Sequence, residues 1–328
     1  MSSDFVVLGA TGTTGGLIAD HLVRRGASVV LAGRDTGRLA EAAERIAPGN
    51  PSVTTTTVDL ADPDGLQALA RSGRVLVNAV GPFARLAPPV VAACLAAGTA
   101  YVDIANERAA VRALLDHDDQ ARERGVPLVT GAGFGLAATE ALVLALLAEG
   151  VRPSRVLVAA AAGSPLDTEG VRSTLTETVS DGATTYRGGQ LVRAPFGQDS
   201  MSLSFGGASR VVVPAPVGDL EAALRISGAA DVTACIALRG SAAPDHRSYT
   251  YAEIVDVEGL THTAELSTGE GYVFSAAVAA EAAFRLLGTT RAGAWTPCDL
   301  FGVDLVGSMA DTVIELTTPA PQPGRWTR

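Results

Sequence analysis

Gly9, Gly12 and Gly15 recur every third residue in Gly9-Ala10-Thr11-Gly12-Thr13-Thr14-Gly15, directly after the apolar run Phe5-Val6-Val7-Leu8. A turn between a strand and a helix carries backbone N–H groups and a positive helix end. Both favour a pyrophosphate where no side chain blocks its approach. The spacing is GxxGxxG rather than GxGxxG, and ligand-free glycine turns share it. At this place it predicts a dinucleotide held by Gly9, Thr11, Gly12, Thr13, Thr14 and Gly15. A second strand, Ser28–Ala32, ends in Gly33-Arg34-Asp35. An NAD site carries an acid here for the ribose 2′-hydroxyl, whereas a guanidinium pairs with a 2′-phosphate. Arg34 therefore points to NADP(H); the alternative is a solvated Arg34 with Asp35 on the ribose. Asp59, after the third strand, is expected near the adenine or as a surface cap. Asn78, Gly81, Pro82 and Phe83 close the fourth strand, where the carboxyl ends of parallel strands form the ligand crevice. The Gly81-Pro82 step is expected to let the backbone approach the cofactor ribose, unless Pro82 merely starts a helix.

A nicotinamide reduction also needs a proton donor. Glu107 and Tyr272 are the candidate catalytic residues; Tyr101, His246, His262 and water are further possibilities. Glu107 stands on the loop after the fifth strand, and as a general acid it needs burial to raise its pKa. The competing reading has it at the start of the next helix, bonded to that N-terminus. Tyr272 opens a helix after Gly269-Glu270-Gly271. Tyr101 reads as a core strand residue, and the two histidines as surface or sheet residues. Cys94 reads as buried and inert. No His/carboxylate spacing suits a metal, and none is expected.

The elements that must position these groups alternate. Strands are expected at 5–8, 28–32, 53–60, 74–80, 99–104 and 127–130, with helices between them, one capped by Thr36 and running to about Ala47. Such alternation implies a parallel sheet with right-handed crossovers. After about Gly131 the rhythm changes. A helix over 136–148 precedes a strand over 155–162, β-rich runs at 184–193 and 200–213, a hairpin over 247–267 turning near Gly259, and a helix over 272–287. The fold class is α/β: an N-terminal Rossmann domain (1–130), a C-terminal α+β domain for substrate or dimerisation (131–288), and a segment returning to the first domain (289–328). The tail from Pro319 is expected to be disordered.

Composition removes several functions. The net charge is -10, which disfavours nucleic acid or an anionic membrane as partner. The apolar stretch 126–151 is interrupted by Glu140 and glycines and does not read as a membrane span. Three widely spaced cysteines and no basic leader suggest a reducing cytoplasm. The sequence contains no lysine, so no Schiff-base or P-loop lysine exists. The Tyr–Lys dyad of extended short-chain dehydrogenases, which share the GxxGxxG opening, is excluded too.

The segments GATGTTGG (9–16), AGRDTGRL (32–39), VNAVGPF (77–83), PPVVAACLAAGTAYVDIANE (88–107), GAGFG (131–135), GYVFSAA (271–277) and WTPCDLFG (295–302) resemble the saccharopine dehydrogenase-like reductases. That group includes saccharopine reductases and trans-acting enoyl reductases. The resemblance covers the N-terminal half and the last helix and tail; 151–250 shows no motif. It implies a Rossmann domain, an inserted α/β domain that pairs in homodimers, and hydride transfer from NADPH to a C=N or activated C=C bond of a small or carrier-bound substrate. It also implies that Gly9, Gly12, Gly15, Arg34, Asn78, Gly81, Pro82 and Phe83 line the cofactor. Asp103, Asn106 and Glu107 stand where the family has a strand end and a Gly-Glu pair; here Asn106 replaces the glycine. Two other functions remain open: an NADP(H)-sensing regulator, and a cyclase or isomerase that keeps the cofactor as scaffold.

Overall fold

The computed structural model describes residues 3–163, 182–238 and 246–320. In chain order the first elements are β1 (Ser3–Leu8), α1 (Thr13–Arg24), β2 (Val29–Gly33), α2 (Thr36–Ile46), β3 (Val53–Thr57) and α3 (Pro63–Arg71). Then come β4 (Gly73–Asn78), α4 (Phe83–Ala97), β5 (Ala100–Asp103), α5 (Arg108–Leu115), α6 (Asp118–Arg124), β6 (Pro127–Val129) and α7 (Leu136–Ala148). They are followed by β7 (Pro153–Ala161), β8 (Ala183–Arg187), β9 (Gln190–Ala194), β10 (Met201–Phe205), β11 (Ala208–Pro214), α8 (Asp219–Ser227) and β12 (Asp231–Ala237). The last are β13 (Ser248–Asp256), β14 (Thr261–Thr268), α9 (Gly271–Leu286), β15 (Gly293–Trp295), α10 (Pro297–Phe301), α11 (Asp304–Gly307) and β16 (Val313–Ala320).

The chain forms two compact units: residues 1–134 with 272–301, and residues 135–271 with 302–328. In the first, seven parallel strands run in the order β15-β6-β5-β4-β1-β2-β3. The order reverses between β1 and β4, the switch point outside which open α/β sheets bind ligands. Leu8 pairs with Asn78 there and Asn78 with Asp103, so the ends of β1, β4 and β5 are level. Apolar runs such as Phe5–Leu8 and Val75–Val77 are buried on both faces, as a helix-covered parallel sheet requires. Each such side chain contributes roughly 1.5–3 kcal/mol on burial. The helices meet the sheet mainly through Ala, Leu and Val.

Several details differ from the sequence reading. Asp35, not Thr36, caps α2: its carboxylate accepts from Arg38 N at 3.0 Å. β3 stops at Thr57, and Asp59 lies in a turn stabilised by its own side chain. α9 joins the first unit, where Phe284 packs edge-on against Phe5 at 4.9 Å under the guanidinium of Arg25, and Arg25 pairs with Glu281 at 2.7 Å. Residues 302 onward go with the second unit, so the return to the first runs from 272 to 301 rather than from 289 to the end. Pro319 and Ala320 belong to β16, which pairs with β14; the rest of the expected disordered tail lies outside the described residues.

The second unit is a mixed sheet in the order β10-β11-β12-β7-β13-β14-β16, with β8 on β12 and β9 on β8. α7 is buried from Leu136 to Val143, Thr139 and Glu140 included, and is packed by α8 and by β13 and β14. Among the described residues no helix is long and apolar enough to cross a membrane.

Candidate functional site

The turn after β1 separates the duties of its three glycines. Gly9 has φ +89°, and a Cβ there would lie 2.8 Å from Val80 Cγ2 and 3.0 Å from Ala79 O. Gly15 is buried, and a Cβ on it would overlap the carbonyl of Gly9. These two glycines are required by the protein itself. Gly12 is not: its nearest neighbour would be Gly9 O at 3.4 Å, and the residue is exposed. Thr11, Thr13 and Thr14 flank it. No side chain caps α1 and no acid lies in its first turn, so its positive end is unopposed from within the helix. A hollow of about 530 Å³ opens beside Thr11, Gly12 and Thr13 and runs along α1 past Asp20 to Arg45.

Arg34, one residue beyond β2, is exposed. Its neighbour Asp35 spends Oδ1 on the α2 N-terminus. Thr36 Oγ1 lies 2.9 Å from Thr57 Oγ1, joining the ends of β2 and β3. Asp59 Oδ1 accepts from Ala61 N at 2.9 Å, which makes it a turn cap on the surface.

Beyond the switch point the strand ends are tied by a buried polar chain. Val80 N donates to Asn78 Oδ1 (3.0 Å), Asn78 Nδ2 donates to the Tyr101 hydroxyl (3.0 Å), and that hydroxyl donates to Asp103 Oδ2 (2.9 Å). Asp103 Oδ1 accepts from Ala105 N, Gly131 N and Thr130 Oγ1 at 3.0, 3.0 and 2.8 Å. Asn78 is fully buried. Its side chain bonds within the protein and orders the turn that follows. There Gly81 and Pro82 share a cis peptide and Phe83 opens α4. Glu107, at the N-cap of α5, accepts from Phe83 N at 3.1 Å and from Asn106 N at 3.2 Å. Its carboxylate therefore serves the N-terminus of α4 as well as its own loop.

Burial pushes the Asp103 carboxyl up to about 6, against the pull of its hydrogen bonds. Asp219 in the second unit, bonded to Thr139 Oγ1 at 2.9 Å, is likewise raised to about 6 by burial. In both, the folded protein holds the proton more tightly than the unfolded chain. Each ionised carboxylate therefore costs stability above pH 6, on the order of 3 kcal/mol for Asp103. That cost is relieved as pH falls from about 6 towards 4. Thermal stability is expected to rise between pH 8 and pH 5, and Asp219→Asn to flatten that rise. Melting scans across this range check it; a fall towards pH 5 would contradict it.

The other candidates are scattered. Tyr272 is the second residue of α9, half-buried, in the first unit. His262 bonds Asp256 Oδ2 at 2.9 Å within the β13–β14 hairpin, and His246 is exposed with φ 57°. Tyr101 is wholly buried, with its hydroxyl pushed well above its ordinary value. Cys94, Cys235 and Cys298 are buried, and burial raises the thiols of Cys94 and Cys235. Among the described residues no cluster of His, Cys, Asp or Glu could hold a metal ion.

Residues 5–129 match the saccharopine dehydrogenase NADP binding domain. That match spans β1 to β6 of the first unit. Among curated relatives, a putative trans-acting enoyl reductase of Mycobacterium tuberculosis is 38% identical over 146 residues, 44% of this chain and 35% of the relative. The trans-acting enoyl reductase of Mycobacterium leprae is 35% identical over 134 residues, 40% of this chain and 32% of that one. The chain thus matches about a third of the length of these relatives. Apo saccharopine dehydrogenase (L-Glu forming) from Saccharomyces cerevisiae shares the fold across 97% of this chain and all of its own, with a TM-score of 0.66 at 12% identity. The residues fit the nucleotide. Gly12 has room for a methyl in the protein alone, and Arg34 is exposed just beyond the end of β2.

Proposed function

We propose that this chain is an NADPH-dependent reductase of an activated C=C bond in a small or carrier-bound substrate. The observation that carries the reading is the bare, uncapped turn at Gly12, directly after β1, in a stretch that matches the saccharopine dehydrogenase NADP binding domain. The names of the curated relatives favour an enoyl substrate. A C=N bond is the second reading, because the whole chain shares its fold with a saccharopine dehydrogenase. The bound cofactor supplies a hydride from the nicotinamide.

Gly9, Thr11, Gly12, Thr13, Thr14 and Gly15 hold the pyrophosphate, and Arg34 the 2′-phosphate. Gly81, Pro82 and Phe83 set the backbone at the nicotinamide end. Asp59 bounds the adenine side through its turn. In a conjugated substrate the β-carbon takes the hydride and the α-carbon a proton. Both oxygens of Glu107 already accept N–H groups, so we assign Glu107 to holding Phe83 and give the proton to Tyr272. Tyr272→Phe is expected to lower kcat by about 10²-fold with NADPH affinity unchanged. An equal loss of cofactor affinity would place Tyr272 in binding instead. Pairing of two copies in a homodimer is part of the proposal, and the mass of the protein in solution tests it.

NADPH oxidation against 2-enoyl thioesters, cyclic enones and cyclic imines tests the function. Turnover with the enoyl compounds is expected. Turnover with imines alone selects the second reading, and none with any class removes both.

A further inference from the structure

We propose that Asp103 is a positioning residue for NADP(H): its ionised carboxylate holds the loops 79–83, 104–107 and 130–132 in place without touching the cofactor. The proposal rests on the reading of this crevice as the nicotinamide-nucleotide site.

The hydrogen bonds around Asp103 have only one consistent polarity. Val80 N–H must donate, so the Asn78 amide turns its oxygen to Val80 and its NH2 to Tyr101. The phenol oxygen then accepts, and the phenol hydrogen can go only to Asp103 Oδ2. The other oxygen faces two backbone N–H groups and the Thr130 hydroxyl. Four donors converge on one carboxylate, and only its ionised form accepts from all of them. The donors come from the ends of β4, through Asn78, of β5 and of β6, and the main-chain oxygen of Asp103 accepts from Ala132 N at 2.8 Å. The loop at 104–107 in turn carries Glu107, which holds Phe83 N. Asp103 is 1% exposed, so its influence on a ligand passes through these loops.

A proton placed on either oxygen would face a donor and leave one hydrogen bond unmade. The groups facing Asp103 are the Tyr101 phenol on β5, the Asn78 amide on β4 and the Thr130 hydroxyl on β6. Behind Tyr101 lies the Cys94 thiol of α4. Burial keeps phenol and thiol neutral. No charged side chain bonds to Asp103 among the described residues. The carboxyl itself, raised by burial to about 6, is the member of this hydrogen-bonded network that titrates near neutrality.

The test is NADPH binding by the full chain from pH 5 to pH 8, followed by fluorescence, for the wild type, Tyr101→Phe, Thr130→Val and Asp103→Asn. Wild-type affinity is expected to fall about tenfold as pH drops through 6. The cofactor's own 2′-phosphate titrates near pH 6 as well, so the decisive readout is the shift between variants. Tyr101→Phe and Thr130→Val each remove one bond to the ionised carboxylate while leaving the charge in place. Each is expected to move the midpoint up by about one pH unit, which a titration of the phosphate cannot do. Asp103→Asn is expected to bind weakly throughout. Should it fail to fold, the other two variants still decide. An identical midpoint in the wild type and both variants overturns the proposal. No NADPH binding at pH 8 overturns the reading of the crevice and the proposal with it.

Discussion

Gly12→Ala is expected to fold with wild-type stability and to lose NADPH binding by at least about 10²-fold. A methyl at position 12 meets nothing closer than Gly9 O at 3.4 Å, an ordinary contact, and the backbone there is extended, at φ -83°. The protein therefore tolerates the side chain. On the proposed function the pyrophosphate does not, because the methyl would stand where phosphate oxygens approach the N–H groups of the turn and the first turn of α1. Gly15→Ala is the contrasting case: its Cβ would overlap the Gly9 carbonyl inside the packed turn. Relief requires moving α1 away from β1, so stability falls by about 1–3 kcal/mol along with binding. Melting scans and cofactor titrations on the two variants separate these effects. A Gly12→Ala protein that binds NADPH normally would show that the turn carries no phosphate.

Arg34→Ala is expected to weaken NADPH by about 10–100-fold and to leave NADH within about threefold, erasing the preference between them. A charge-assisted bidentate contact is worth roughly 1.5–3 kcal/mol, which sets that range. The alternative, Asp35 on a ribose hydroxyl, competes with an existing bond, since Asp35 Oδ1 caps α2 through Arg38 N. Asp35→Ala should accordingly cost helix stability of about 1 kcal/mol. Titrations with both nucleotides decide. NADH binding more tightly than NADPH in the wild type would return the ribose to Asp35.

The first unit was legible because its strands are apolar runs bounded by turn residues and its helices repeat every three to four positions. Phe5–Leu8, Ser28–Ala32 and the 136–148 helix fall within a residue or two of the observed elements. β15 escaped notice because three residues, Gly293-Ala294-Trp295, carry no period. α8 and β12 lie in the stretch where no motif stands out. The glycine turn and Arg34 are legible as part of the candidate site because they are made of sequence neighbours. The chain Asn78–Tyr101–Asp103–Thr130 was not, since it joins three strands whose alignment only the register supplies. One signal was present: Asn78, Asp103 and Thr130 each put a polar residue at the end of an apolar strand, where unpartnered burial would be costly. Glu107 stands at the start of α5, as one sequence reading has it, but its carboxylate accepts the otherwise free Phe83 N–H at the N-terminus of a different helix, α4.

The most direct test of a reductase is the fate of the hydride. NADPH carrying deuterium at nicotinamide C4 would be incubated with the protein and a 2-enoyl thioester, and the product examined by mass spectrometry. The account predicts a saturated product with one deuterium, at the β-carbon, formed in proportion to NADPH consumed. Tightly bound NADPH that stays unoxidised with enoyl, enone and imine compounds alike would contradict it, and would leave a protein that binds the nucleotide without reducing anything.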